Sequence, residues 1–433
     1  MKIKTIITTY IPLAVLIVIC SIWYFDAYYC EINAPLLSRF RSSPILDKDK
    51  FSAGYTLFTN LGVPKEESEA NNKVYLVNSY GKLVHSWRVE NRPFYSQMKK
   101  NGNLLVAQMT LDRITFKWVA NPIIQEIDWQ GNVVWEYKND LMHHDFELLP
   151  DGRLAVLVYD KVPEDVALKV QGGIAREVDK GEVYADSILE VDRDGKTVWE
   201  WDLYKHLDPE KDILGEADLL SDWTHANSLR FMESNPINGE PAYLISIRNL
   251  SFVAMVSRIT GEIIWRSPDG MFDHQHDATL LENGNILVFD NGFDIHSKKD
   301  SILKTRVVEV NPKTGEIQWE FEGGEVLEKF HFFNAVLGGA QKLNNGNVLI
   351  TMGIDGELIE VTPDKKIVWN YINPYLLGAP DGGFPINYIF KARRVYENEI
   401  DWPVEIEESY PVSPSYCKES LMGLGRVLQG KDY

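Results

Sequence analysis

Basic residues are scarce in this chain. Its 433 residues carry 44 Lys and Arg against 63 Asp and Glu, a net charge of -19. Nucleic-acid binding needs a basic face, so the balance argues against such a partner. It argues equally against long-range steering of an anionic substrate, though a locally cationic pocket is still allowed. Cysteine is nearly missing, at three residues. Cys20 lies inside an apolar run, which leaves Cys30 and Cys417 near the two chain ends. A disulfide joining them fits an oxidising compartment, and two unpaired thiols fit as well, because no spacing rule links them. Long helical periodicity is also rare. With 12 Trp, 20 Tyr and 30 Gly, the composition leans instead towards β structure.

The one long hydrophobic run is at the N-terminus. Lys2 and Lys4 precede an apolar stretch from Ile6 to Phe25, and Trp23, Tyr24 and Tyr28 sit where an interfacial aromatic belt would fall. About 20 such residues suffice to span a bilayer. The two lysines place the N-terminus in the cytoplasm and the bulk of the chain outside. A cleaved signal peptide is the alternative, but no small-x-small cleavage site is present. The expected organisation is an anchor over 1–29, a linker over 30–50, a main domain over 51–396 and a loop-rich tail over 397–433.

The main domain repeats itself. A Gly-x-apolar-apolar-Trp element, or a close variant, ends at Trp87, Trp135, Trp199, Trp265, Trp319 and Trp369, at intervals of 48 to 66 residues. An Asn/Asp-Gly hairpin followed by an apolar strand recurs at Asn101, Asp151, Asn283 and Asn345. A period of roughly 50 residues with four short strands is the mark of a β-propeller, in which each blade hides its faces against its neighbours. Six Trp predict six blades, with the Trp between blades in a structural role. Insertions at 161–180 and 203–221 are expected on the rim as lids, the second with helical character. Asn387 to Tyr396 is expected to be the closing strand.

Stepping back eight residues from the hairpin Gly gives His144 before Gly152 and His276 before Gly284. The intervening repeat, aligned on its strand, gives His225. The spacing therefore puts three imidazoles at the start of the innermost strand of three successive blades. Antiparallel pairing brings the ends of the second strands alongside, adding Arg248, Asp290 and Asn291, with Asn227 nearby. One imidazole would attack and be modified, and a second would handle the proton. Arg248 and Asn227 would hold spread negative charge on the group in flight. Such a pocket suits transfer of a small anionic group, sulfuryl or phosphoryl. A zinc site competes, because three His form a familiar ligand set and His274 and His276 share one strand face. A third reading has the histidines bonding blades together. His85, His143, His206, His296 and His331 are assigned to that structural class.

The segments HHDFELLPDG, DWTHANSL with a later ISIRN, and QHDATLLENGNILVFDNG resemble the bacterial arylsulfotransferase family, the PAPS-independent aryl-sulfate sulfotransferases. The resemblance runs from about Tyr55 to Tyr396. It implies an all-β six-bladed propeller with no cofactor and ping-pong transfer from a phenolic sulfate ester to a phenol. His276 would be the sulfated nucleophile, and His225, His144 and Arg248 its catalytic partners. Asn227, Asn291 and Tyr388 would bind substrate, with His143 an alternative to His144. Two other functions remain in view, a quinone-dependent dehydrogenase and a non-catalytic binding propeller. Quinone enzymes of that class have eight blades and a metal site, which the six Trp repeats speak against.

Overall fold

The computed structural model describes residues 46–62, 71–109, 122–293, 304–323, 332–378 and 386–402. The expected anchor, Cys20, Cys30, Cys417, His296, His331 and most of the tail lie outside the described residues. Among the described residues no helix is long and apolar enough to cross a membrane.

Six four-stranded antiparallel sheets make up a six-bladed propeller. Blade 1 consists of Tyr55–Thr59, Lys73–Asn78 and Leu83–Arg88, and its innermost strand, Arg393–Val395, comes from the far end of the chain. Blades 2 to 6 begin with innermost strands Arg92–Met98, Met142–Leu148, Ala226–Met232, His276–Leu280 and Gly339–Lys342. The closing strand is shorter than the sequence alternation predicts. Only Arg393–Val395 pairs with Tyr55–Leu57, because the residues before it bond irregularly to blade 6, with Ile389 N–H on the Gly353 carbonyl and Ala392 N–H on Thr351 Oγ1.

The apolar core is a ring of interblade layers. Leu157, Ile188 and Trp201 of blade 3 meet Leu229, Tyr243 and Ile245 of blade 4, for example. Phe289 and Val307 of blade 5 meet Ile350 and Ile359 of blade 6, and Leu349 and Leu358 of blade 6 meet Phe58 and Tyr75 of blade 1. Each such side chain contributes roughly 1.5–3 kcal/mol on burial. The repeated Trp lies between blades. Trp135, Trp319 and Trp369 donate their indole N–H to carbonyls of the next blade, at Arg193, Pro363 and Ser79. A buried glutamate stands opposite the Trp in four blades, at Glu126, Glu190, Glu309 and Glu360. Three of the four accept from a hairpin Asn, at Asn103, Asn285 and Asn347.

The two insertions meet. Gly172–Ile174 from the first pairs in parallel with Leu214–Leu219 from the second. The second insertion is not helical beyond the short turn Leu203–His206. Pro209 cannot continue a helix, and Asp208 closes a turn instead, accepting from the N–H of Asp212.

Candidate active site

The innermost strands of blades 3, 4 and 5 all carry an irregularity at their first residues, between Met142 and Phe146, Ala226 and Ser228, and His276 and Thr279. A bulge re-aims side chains that regular pleating would send to one face. The backbone there is strained, with φ of 47° at His144, 49° at His225, 53° at His274 and 53° at Asp277. Positive φ costs a non-glycine residue energy and gathers at functional sites.

Three imidazoles converge at this end of the ring. The rings of His144 and His225 stand edge-on with centroids 4.6 Å apart. His144 and His276 both lie against Phe390, at 6.0 and 6.4 Å. His276 is the most firmly fixed. Asn291 donates its amide to the carbonyls of Asn334 and Leu337, at 2.8 and 2.9 Å, which leaves its Oδ1 facing the His276 ring. That oxygen accepts from His276 Nδ1 at 2.7 Å, and the His274 carbonyl lies 3.2 Å from the same nitrogen. The proton therefore sits on Nδ1 and the lone pair on Nε2. Burial first, then the charge of Arg248, pushes the His276 pKa down to about 3, so the ring is neutral near pH 7.

Each neighbour has its own carboxylate or imidazole. His225 Nδ1 lies 2.5 Å from Asp222 Oδ2. His144 Nδ1 lies 2.9 Å from His143 Nδ1, and His143 Nε2 lies 2.9 Å from Asp186 Oδ1. Burial, aided by His225, His143, His276 and Arg248, holds His144 well below the usual imidazole range. Arg248 completes the group. Its Nη1 donates to Asn249 Oδ1 at 2.7 Å and to Asp218 Oδ1 at 3.3 Å, and burial lowers its pKa against the pull of Asp218 and Asp222.

Two predicted substrate-binding residues, Asn291 and Asn227, have their amides engaged within the protein, Asn291 on His276, Asn334 and Leu337. Asn227 is fully buried and donates its amide to the Gln275 carbonyl at 2.8 Å, bonding blade 4 to blade 5. Tyr388 accepts at its backbone carbonyl from Leu61, and the aromatic rings against the imidazoles include Phe390 and Phe94, the latter 5.8 Å from His144. Phe390 reaches the imidazoles because residues 387–392 bond irregularly to blade 6 instead of forming a straight strand.

Sequence reasoning gave no site role to four carboxylates, Asp145, Asp218, Asp222 and Asp277. Asp218, from the second insertion, and Asp222, just after it, reach Arg248, His274 and His225. His274 bridges Asp273 and Asp218. Burial pushes its pKa down, but the bonds to these two carboxylates outweigh that and raise it. Asp145 and Asp277 follow His144 and His276 directly and turn into the channel axis. Asp145 accepts from Lys391 and Arg230, and Asp277 from Arg393 and Arg230. The adjacency HD at 144–145 and 276–277 was the available signal. A groove of about 800 Å³ lies behind His274 rather than over the imidazoles, lined by Leu250, Met271, Phe272 and Asp273 among others. Among the described residues no group of three His, Cys, Asp or Glu side chains is arranged to hold a metal ion.

The family model described as Arylsulfotransferase (ASST) matches residues 123–374, more than half of the chain. Among solved structures, the chain is similar to a protein of unknown function from Bacteroides caccae, at 14% identity and TM-score 0.46, covering 79% of this chain and 98% of that one. It is also similar to a streptogramin B lyase at 11% identity and TM-score 0.41, covering 77% and 95%. A virginiamycin B lyase from Staphylococcus aureus matches at 11% identity and TM-score 0.41, covering 78% and 90%. No curated protein matches the chain.

Proposed function

The chain belongs to the arylsulfotransferase family, and from that premise we propose that it moves a sulfuryl group from a phenolic sulfate ester to a phenol through a sulfated His276. The observation that carries this reading is the hold on His276. Its Nδ1–H donates to Asn291 Oδ1, so the neutral ring keeps its lone pair on Nε2 as nucleophile beside Arg248. Attack by Nε2 on sulfur expels the phenolate, and the sulfuryl oxygens gather charge that the Arg248 guanidinium stabilises. The flanking imidazoles, His144 and His225, supply the acid that protonates the leaving oxygen and the base that later deprotonates the acceptor. Sulfation places a positive charge on the His276 ring, and Asn291 Oδ1 then receives a charge-assisted bond.

The test uses 4-nitrophenyl sulfate and phenol without PAPS or added metal. Nitrophenol release is expected from the wild type and not from His276→Ala. Donor alone should leave one sulfuryl group on the peptide containing His276. An active His276→Ala would refute the assignment. The apolar run from Ile6 to Phe25 is proposed as an anchor that leaves the propeller on the outer side of the membrane. Resistance to alkaline extraction, with protease access from outside, would support that placement.

A further inference from the structure

The reaction above needs one group to act first as acid and then as base, and two imidazoles flank the nucleophile. We propose that His144 is that group, and that the buried pair His143–Asp186 moves its proton. The proposal rests on the sulfuryl-transfer reading and deepens it.

Three observations carry it. First, His143 and Asp186 are both wholly buried, and His143 Nε2 lies 2.9 Å from Asp186 Oδ1. The pair is a close ion contact and not an aimed hydrogen bond, and neither atom has a hydrogen-bond partner among the described residues. Second, Asp186 Oδ2 already accepts from Thr224 Oγ1 and the Ala226 N–H, both at 2.5 Å. Those bonds fix the carboxylate with Oδ1 turned to His143. A buried carboxylate needs a compensating charge, and its ion pair among the described residues is with His143. Third, the His143–His144 contact joins nitrogen to nitrogen at 2.9 Å. One proton lies between two like atoms, so either ring can own it. The His225 contact differs, because Asp222 is a carboxylate and a weak base that keeps the Nδ1 proton on His225.

The step balances. In the resting site His143 is an imidazolium paired with Asp186, and His144 carries its proton on Nε2. His276 Nε2 bonds to sulfur as the sulfur–oxygen ester bond breaks. The phenolate oxygen takes the Nε2 proton of His144, and His144 Nδ1 takes the Nδ1 proton of His143. His143 is left neutral with its Nε2 proton towards Asp186. In the second half-reaction the acceptor phenol gives its proton to His144 Nε2, and the Nδ1 proton returns to His143. The phenol oxygen then bonds to sulfur and the sulfur–Nε2 bond breaks. His143 and Asp186 touch no reactant and are positioning residues.

The test compares phenyl sulfate, a poor leaving group, with 4-nitrophenyl sulfate, a good one, in His143→Gln and Asp186→Asn. Loss of proton delivery should cost the poor donor about 10²–10³-fold in kcat/KM and the good donor under about 10-fold. Equal loss on both donors would mark a packing role and overturn the relay. So would a leaving-group effect found in Asp222→Asn and missing from His143→Gln. A second readout does not depend on turnover. Nitrogen-15 NMR of the full chain labelled at histidine should show a low-field proton shared by two Nδ1 atoms, lost in His143→Gln. Its absence from the wild type overturns the relay. If that proton is present and no sulfuryl reaches His276, the sulfuryl-transfer reading has failed and takes the acid–base role of His144 with it.

Discussion

Replacing Asn291 with Ala removes the group that fixes the nucleophile. In the resting site the lost contact is a bond between neutral partners, worth about 1 kcal/mol net. In the sulfated state the donor is cationic, and such bonds are worth about 1.5–3 kcal/mol. The difference, about 0.5–2 kcal/mol, falls on the chemical step and slows sulfation roughly 2- to 30-fold. Freedom of the ring to put its proton on Nε2 adds to the loss, although the His274 carbonyl at 3.2 Å retains part of the hold. The expected total is about 10- to 100-fold in kcat with KM little changed, since Asn291 is not expected to bind the ester in its ground state. The variant also takes the Asn291 donor from the Leu337 carbonyl, while the Asn334 carbonyl keeps Thr305 Oγ1 at 3.3 Å. A stability loss of about 1–3 kcal/mol for the orphaned group follows and is measured by urea unfolding. Rapid-mixing measurement of nitrophenol release separates the two effects. A variant that sulfates His276 at the wild-type rate, or that raises KM alone, would refute the reasoning.

Arg248→Met should lower kcat about 10²–10³-fold through loss of charge stabilisation, while Asp218→Asn, which removes a carboxylate competing for Arg248, should lower KM for the sulfate ester; steady-state kinetics on both variants decide this. The His276 pKa of about 3 in the folded chain lies below its unfolded value, so the unfolded chain takes the proton first as pH falls. Its contribution to stability is complete above about pH 6.5 and is lost towards pH 3 at about 1.4 kcal/mol per pH unit. Urea titrations at pH 6.5 and 4.5 should show the loss, reduced in His276→Phe. Prolonged dialysis against a chelator is expected to leave sulfuryl transfer unchanged, and restoration by zinc of a lost activity would point to the metal reading.

Much of the architecture was written in repeated local chemistry. The Trp positions mark outer strands because an indole can fill the gap between blades and bond a carbonyl of the next, as Trp319 does at Pro363. The histidines were found by counting back from hairpin glycines, because blade geometry repeats at fixed spacing. What escaped lies where the chain leaves that spacing. Asp218 reaches Arg248 and His274 only because two insertions pair as Gly172–Ile174 and Leu214–Leu219, and no periodicity announces a pairing between irregular segments. Asn227 lay at a plausible position, but a one-residue shift between Ala226 and Ser228 turns its amide to Gln275. Phe390 was hidden because residues 387–392 alternate like a strand yet bond irregularly to blade 6.

The bulges tie the site to the closure of the ring. At residues 144–145 and 276–277, one irregularity serves two neighbours in sequence. The histidine faces the site, and the aspartate turns into the axis, where Arg230, Lys391 and Arg393 meet Asp145 and Asp277. Lys391 is wholly buried, and burial, with the charge of Arg230, pushes its ammonium down to about 8. A buried ion network adds little stability over an apolar core, yet losing one partner strands the others at about 3–5 kcal/mol. Such a network therefore acts on specificity of closure more than on depth of the fold. Arg393 belongs to the strand that seals blade 1, and Arg230 to blade 4. The carboxylates beside the two histidines thus hold charges from opposite sides of the ring. Closure and the aim of the imidazoles are one structural event, and a chain whose last strand is unpaired lacks the charges that balance Asp145 and Asp277.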